Sequence, residues 1–194
     1  MGTRVLIIGG YGVFGSKLTS GLIKTGGFDI IVAGRSEAKA KAFCKREGGT
    51  PLRLDTRQSD LADVFSTLQA DIVVDAAGPF QTYDTDAYAI ARAAISSGAH
   101  YLDLSDDAAF TAGISKLDAQ ARQAGVCVLS GVSSVPALSS AVIGALSADM
   151  SDIHLIESAI LPGNRAPRGL SVIRAILAQV GRDMTLIEFC VTLE

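Results

Sequence analysis

The sequence predicts an α/β fold, a doubly wound parallel sheet with helices on both faces, and three observations lead there. Short β-branched runs alternate with longer helical stretches as far as residue 129. Several of these runs are continuously apolar, as strands covered on both faces require. A glycine-rich turn joins the first run directly to the first helix. With 194 residues and 48% hydrophobic side chains, the chain can bury a core, so disorder is not expected.

The elements follow in order. Arg4–Ile8 is the first strand, Gly10-Tyr11-Gly12-Val13-Phe14-Gly15 the turn, and Ser16–Thr25 the first helix. Asp29–Ala33 is the second strand and ends at Gly34-Arg35-Ser36. Glu37–Glu47 is helical, stopped by Gly48-Gly49, because glycine tolerates the backbone that closes a helix. Pro51–Leu54 forms a third strand ending at Asp55, and Leu61–Leu68 a short helix. Asp71–Ala76 is a strongly buried strand ending at Gly78-Pro79, followed by an alanine-rich helix over Thr85–Ser97. Ala99–Leu104, a helix over Asp107–Ala124 and the strand Val126–Leu129 bring the sheet to about six strands, as in the dinucleotide-binding fold.

Residues 1–150 are expected to make up this domain. From about Ser151 the pattern changes. Ile153–Leu161 reads as a longer strand, 162–169 as a Pro/Gly loop, Leu170–Val180 as a helix and Met184–Thr192 as a strand. Residues 151–194 are therefore expected to open a second, α+β unit.

Bulk properties exclude several function classes. A net charge of -3 gives no reason to expect nucleic acid or an anionic membrane as partner. Gly125–Ala148 is uncharged and long enough to span a bilayer, but its serines, glycines and Pro136 divide it into strand, turn and helix. A buried α/β segment is expected there. Cys44, Cys127 and Cys190 stand apart, as do His100 and His154, so no metal site is expected. Isolated cysteines, with no cleavable leader at the N-terminus, fit a reducing cytoplasm.

The glycine turn carries the chemistry. In a strand–turn–helix unit, Gly10 allows the tight turn, Gly12 lets the backbone approach a pyrophosphate, and Gly15 lets the helix pack closely. The helix N-terminus then offers N–H groups and partial positive charge to phosphate. A P-loop is excluded, because Ser16-Lys17 follow Gly15 in the wrong order for the lysine to reach terminal phosphates. A short-chain dehydrogenase would need tyrosine and lysine four apart. Tyr88 has Arg92 at that spacing, and Tyr11, Tyr83 and Tyr101 have Gly15, Ala87 and Ser105.

The end of the second strand selects the dinucleotide. An NAD site places an acidic residue there for the ribose 2′-OH, whereas this chain has Gly34-Arg35-Ser36. The missing carboxylate removes repulsion toward a 2′-phosphate, and Arg35 supplies a planar cationic donor. Ser36 adds a hydroxyl and Lys39 a second cation one turn on, so NADP is expected over NAD. The alternative for Arg35 is a solvated strand-end residue. Asp55 is a candidate partner for the adenine amino group, or a helix cap.

With GGYGVFG, VAGR, DAAGPF, GAHYLDLSDD and GVSSVPALSS in this order, the chain resembles the saccharopine dehydrogenase-like family. The resemblance implies an NAD(P)-dependent oxidoreductase with a Rossmann domain and a second domain that shapes the substrate site. It implies that this chain holds only the start of that second domain. Ala77-Gly78-Pro79-Phe80 would lie beside the nicotinamide ribose, and Asp103, Ser105 and Asp106 near the substrate cleft. Asp103 and Asp106 are then the candidates for proton transfer, with helix capping as the alternative for each. Tyr101 and His154 are expected to be structural, and Cys127 an inert thiol in an apolar strand. The expected partner is a small-molecule substrate, with a homodimer as the candidate assembly. Two functions stay open: an NADP-dependent oxidoreductase represented by its cofactor domain, and a non-catalytic NADP-binding or oligomerisation module.

Overall fold

The computed structural model describes residues 2–57, 60–80, 83, 86–159, 173 and 177. Six parallel strands are β1 (Thr3–Ile8), β2 (Phe28–Gly34), β3 (Thr50–Arg53), β4 (Ile72–Asp75), β5 (His100–Asp103) and β6 (Val128–Leu129). Their order across the sheet is β3-β2-β1-β4-β5-β6, the doubly wound topology expected. The chain reverses direction of growth between β3 and β4, and ligands in such sheets sit beyond the carboxyl ends of the strands at that point.

Alternation along each strand builds two cores. Leu6, Ile8, Ile31, Ala33, Val73 and Tyr101 face one side. They pack there against Leu61 and Phe65 of α3 (Leu61–Leu68), Ile90, Ala91 and Ala94 of α4 (Ala89–Ser96), and Ala121. Val5, Ile7, Ile30, Val32 and Val74 face the other, against Leu18, Leu22 and Ile23 of α1 (Gly15–Thr25) and Phe43 of α2 (Glu37–Glu47). Tyr101 is a core residue, as expected, with 1% exposure.

Local chemistry sets the helix ends. Ser36 Oγ accepts from Lys39 N at 3.4 Å and starts α2, which carries Glu37 in its first turn and Lys45 and Arg46 in its last. Gly48, at φ 104°, closes that helix with its N–H on Cys44 O. Asp60 caps α3 through Asp63 N.

Several expectations need correction. The helix expected over Asp107–Ala124 is broken into α5 (Ala108–Gly113), a 3₁₀ turn (Ile114–Leu117) and α6 (Asp118–Ala124). Its cap is Asp107, which accepts from Phe110 N at 2.7 Å, so neither Asp103 nor Asp106 fills that role. The segment 125–148 does divide into strand, turn and helix, but Gly131 alone of it is buried. No residue of α7 (Ser139–Leu146) is buried, and Leu138 and Leu146 are 61% and 72% exposed. Burial needs an opposing surface, and among the described residues α7 meets chiefly the turn at Ser134–Leu138 that leads into it.

The strand expected at Ile153–Leu161 is irregular and exposed over 153–159, with no strand beside it among the described residues to take up its backbone groups. His154 lies there, exposed. Cys127 is exposed as well, its N–H donated to His100 Nδ1, because β6 is a two-residue edge strand. Of the helix expected over 170–180, Ile173 and Leu177 are described, both helical and exposed. The loop at 162–169 and the strand at 184–192 fall outside the described residues.

Candidate functional site

The glycine turn sits between the carboxyl ends of β2 and β4. Gly9 N donates to Ala33 O at 2.8 Å, and a Cβ at Gly9 would lie 2.8 Å from Ala76 O and 2.9 Å from Ala77 Cα. Gly9 also has φ 77°, so the left-handed position is Gly9 and not Gly10, one residue before the expected motif. Gly10 serves close packing instead, since a Cβ there would lie 3.1 Å from Val32 Cγ1 and 3.2 Å from Thr19 Oγ1. The fully buried Thr19 donates from Oγ1 to Gly10 O at 3.0 Å and pins the turn from inside.

The other two glycines divide the remaining work. A Cβ at Gly15 would overlap the carbonyl of Gly9, so α1 starts in direct backbone contact with the turn. At Gly12 a Cβ would meet only Gly9 O, at 3.0 Å, which leaves its other side open to approach. Tyr11 and Val13 are half-buried, and Phe14 is 56% exposed at the mouth of α1. No side chain caps α1, and no acidic residue occupies its first turn. Its dipole therefore faces no carboxylate of the first turn, while the Ser16 and Lys17 N–H groups donate to Gly12 O and Phe14 O.

The end of β2 lies alongside. Gly34 is buried, Ser36 half-buried, and Arg35 and Lys39 are exposed. Neither cation is in an ion pair among the described residues. Tyr11 reaches across from the glycine turn, and its hydroxyl accepts the Ser36 N–H at 2.9 Å. Ser36 Oγ already accepts from Lys39 N, yet its own proton stays available to an anion. Asp55 is half-buried beyond β3, where its Oδ1 accepts from Arg57 N, and the cap of α3 is Asp60.

On the far side of the turn the edge is closed and acidic. Asp75 and Asp103 are register partners at the ends of β4 and β5, and both are 0% exposed. Asp75 Oδ1 accepts from Ala77 N at 3.0 Å and Oδ2 from the Tyr83 hydroxyl at 2.7 Å. Burial pushes the Asp75 carboxyl up to about 6, against these two hydrogen bonds and with help from Asp103. Burial and then Asp75 drive the Tyr83 phenol far above its ordinary range, so it stays protonated and donates.

Asp103 Oδ1 accepts three hydrogen bonds, from Ser105 N, Ser130 Oγ and Gly131 N, each at 2.9 Å. Its Oδ2 is buried with no partner among the described residues. Ser105 is fully buried and bonds the N–H of Asp107, while Asp106 is exposed. Ala77, Gly78 and Pro79 are half-buried after β4. The Phe80 side chain is 6% exposed and turns into an aromatic cluster, 5.2 Å from the Tyr83 ring and 5.1 Å from Phe110.

The structure thus gathers the glycine turn, the Gly34–Ser36 corner and Ala77 around Gly9. Asp103 and Asp106 sit farther along the edge, beyond β5. Asp75, Tyr83 and Gly9 were missed from sequence, although an aspartate closing the run Ile72-Val73-Val74 had to find partners once buried. The residues present suit a dinucleotide phosphate: an open backbone at Gly12, an unopposed helix terminus, and a strand end with a cation in place of a carboxylate. Among the described residues no three His, Cys, Asp or Glu side chains gather as a metal would require. No described helix is long and apolar enough to cross a membrane.

Comparison with known proteins bears on the fold and the family. The apo saccharopine dehydrogenase (L-Glu forming) of Saccharomyces cerevisiae superposes with a TM-score of 0.63 at 21% identity, over 76% of this chain and 31% of that one. This chain thus spans about a third of that enzyme, and the likeness shows the fold. A 3-ketoreductase from Actinomadura kijaniata, solved with NADP, gives a TM-score of 0.49 at 23% identity, over 67% of this chain and 37% of that one. Biliverdin reductase from Synechocystis, solved with biliverdin and NADP+, gives 0.46 at 24%, over 66% and 37%. Among curated proteins nothing matches by sequence. The saccharopine dehydrogenase NADP binding domain model matches residues 5–129, more than half of the chain and every strand of the sheet, so this protein belongs to that family.

Proposed function

We propose that the chain is the cofactor-binding part of an NADP(H)-dependent oxidoreductase acting on a C–N or C–O centre of a small metabolite. The observation that carries this is one sheet edge holding both an acid-free helix terminus over the glycine turn and the Arg35 corner. Gly12 and the first turn of α1 receive the pyrophosphate. Arg35, the Ser36 hydroxyl and Lys39 receive the 2′-phosphate, which favours NADP over NAD. Asp55 takes the adenine amino group, and Ala77-Gly78-Pro79-Phe80 border the nicotinamide end.

The cofactor, when bound, supplies the hydride. The chain orients it and handles a proton. Of the two carboxylates that the family resemblance sets near substrate, Asp106 is the exposed one and the candidate for that proton. Asp103, enclosed, acts through the loops that it holds. The free thiols of Cys44 and Cys127 fit a reducing cytoplasm.

A second reading is a non-catalytic NADP-binding module, with a homodimer as its proposed assembly. The enclosure of Asp75 and Asp103, which no substrate can touch, favours it for this chain alone. Fluorescence titration tests the shared part. NADPH binds more tightly than NADH, and Arg35→Ala erases most of the preference, whereas equal affinities for the two in the wild type would remove the Arg35 assignment. Both readings expect no robust turnover by this chain alone, and substantial saccharopine oxidation by it would show that it is more than a cofactor-binding part.

A further inference from the structure

We propose that Tyr11 is a specificity-determining residue: its ring over Gly34 and its hydroxyl on Ser36 hold the Arg35 corner in the form that receives a 2′-phosphate. The same ring keeps any side chain, above all an acidic one, out of position 34. This inference rests on the NADP(H) reading of the site.

The geometry makes the two arrangements exclusive. A Cβ at Gly34 would lie 2.5 Å from Tyr11 Oη and 2.7 Å from Cε1 and Cζ, and no atom of another residue comes closer. Any residue but glycine at 34 must therefore push the phenol aside and break its 2.9 Å bond with the Ser36 N–H. Position 34 is the last residue of β2, where a site for the ribose 2′-OH carries its carboxylate. With Tyr11 in place that carboxylate cannot be seated.

The phenol also organises what takes its place. Arg35 stands between two fixed neighbours, Gly34 in register with Arg53 of β3 and Ser36 tied to Tyr11. The guanidinium is exposed, but its backbone is not free to swing, so less order is lost when an anion is bound. Because the Ser36 amide is committed to Tyr11, the phosphate-directed groups at this corner are the Ser36 hydroxyl and the Arg35 side chain.

The test is a coupling measurement on the full chain, reading the ratio of NADPH to NADH affinity by fluorescence titration. Tyr11→Phe keeps the ring and loses the hydroxyl. It lowers NADPH affinity about three- to tenfold, as for one hydrogen bond, and leaves NADH unchanged. Gly34→Ala lowers the ratio by at least a similar factor in the wild-type background. In a Tyr11→Ala background the same substitution changes it by less than about twofold, since no ring remains to displace. A wild-type chain without NADPH preference would overturn the cofactor reading itself. A wild-type preference that survives both Tyr11→Phe and Tyr11→Ala would overturn this proposal alone, as would equal effects of Gly34→Ala in the two backgrounds.

Discussion

The carboxyl edge of the sheet has two halves of opposite character. On the β1–β2 side the backbone is open, the terminus of α1 has no internal anion, and Arg35 and Lys39 stand in solvent. On the β4–β5 side two carboxylates are fully enclosed, and their hydrogen bonds run to Ala77, Tyr83, Ser105, Ser130 and Gly131. The open half keeps its cationic side chains for a ligand, while the closed half turns its carboxylates onto the protein's own loops. Substitutions should accordingly appear in binding on one side and in stability on the other.

The largest effect is expected at Asp103. Asp103→Ala leaves three donors without their acceptor, two of them buried backbone N–H groups, at a cost of about 3–5 kcal/mol in urea denaturation. A change below about 1 kcal/mol would break the picture of a closed half.

Asp75 sharpens it through pH. An unfolded chain releases the Asp75 proton near 3.8, the folded one near 6, so between these values the native state binds more protons. Stability from this group is therefore greatest in acid and declines as pH rises through about 6. Asp75→Asn removes that decline, and its stability relative to wild type rises from pH 4 to pH 7 by about 2–3 kcal/mol. A difference constant with pH would show that Asp75 ionises freely.

Arg35→Ala tests the open half. It is expected to cost NADPH affinity about ten- to hundredfold, the scale of hydrogen bonds to a charged group, with folding stability shifted by less than about 0.5 kcal/mol. The smallest effect is set by a single cap: Asp107→Ala costs about 1 kcal/mol and leaves NADPH affinity unaltered.

The open half was legible in sequence because its features are local. Gly10–Gly15 lie in one turn and Gly34-Arg35-Ser36 at one strand end, and each residue type answers a requirement set within a few residues. Even there the positive φ fell on Gly9, since two adjacent glycines can share one turn and only tertiary contact with Ala76 and Ala77 decides between them. The closed half was not legible. Asp75 and Asp103 are brought together by strand register across residues far apart in sequence, and Tyr83 comes from a loop without periodicity. The apolar run at 125–148 misled for a related reason: hydropathy states that a segment can be buried, and only a neighbouring surface makes it so.

Amide chemical-shift mapping of the full chain during titration with NADP+ tests the division of the edge most directly. The predicted result is a set of largest shifts at Gly12, Val13, Phe14, Gly15, Arg35 and Ser36, with Ser105 and Gly131 little moved. Largest shifts at Ser105 and Gly131, with the glycine turn unperturbed, would put the binding edge on the β4–β5 side instead.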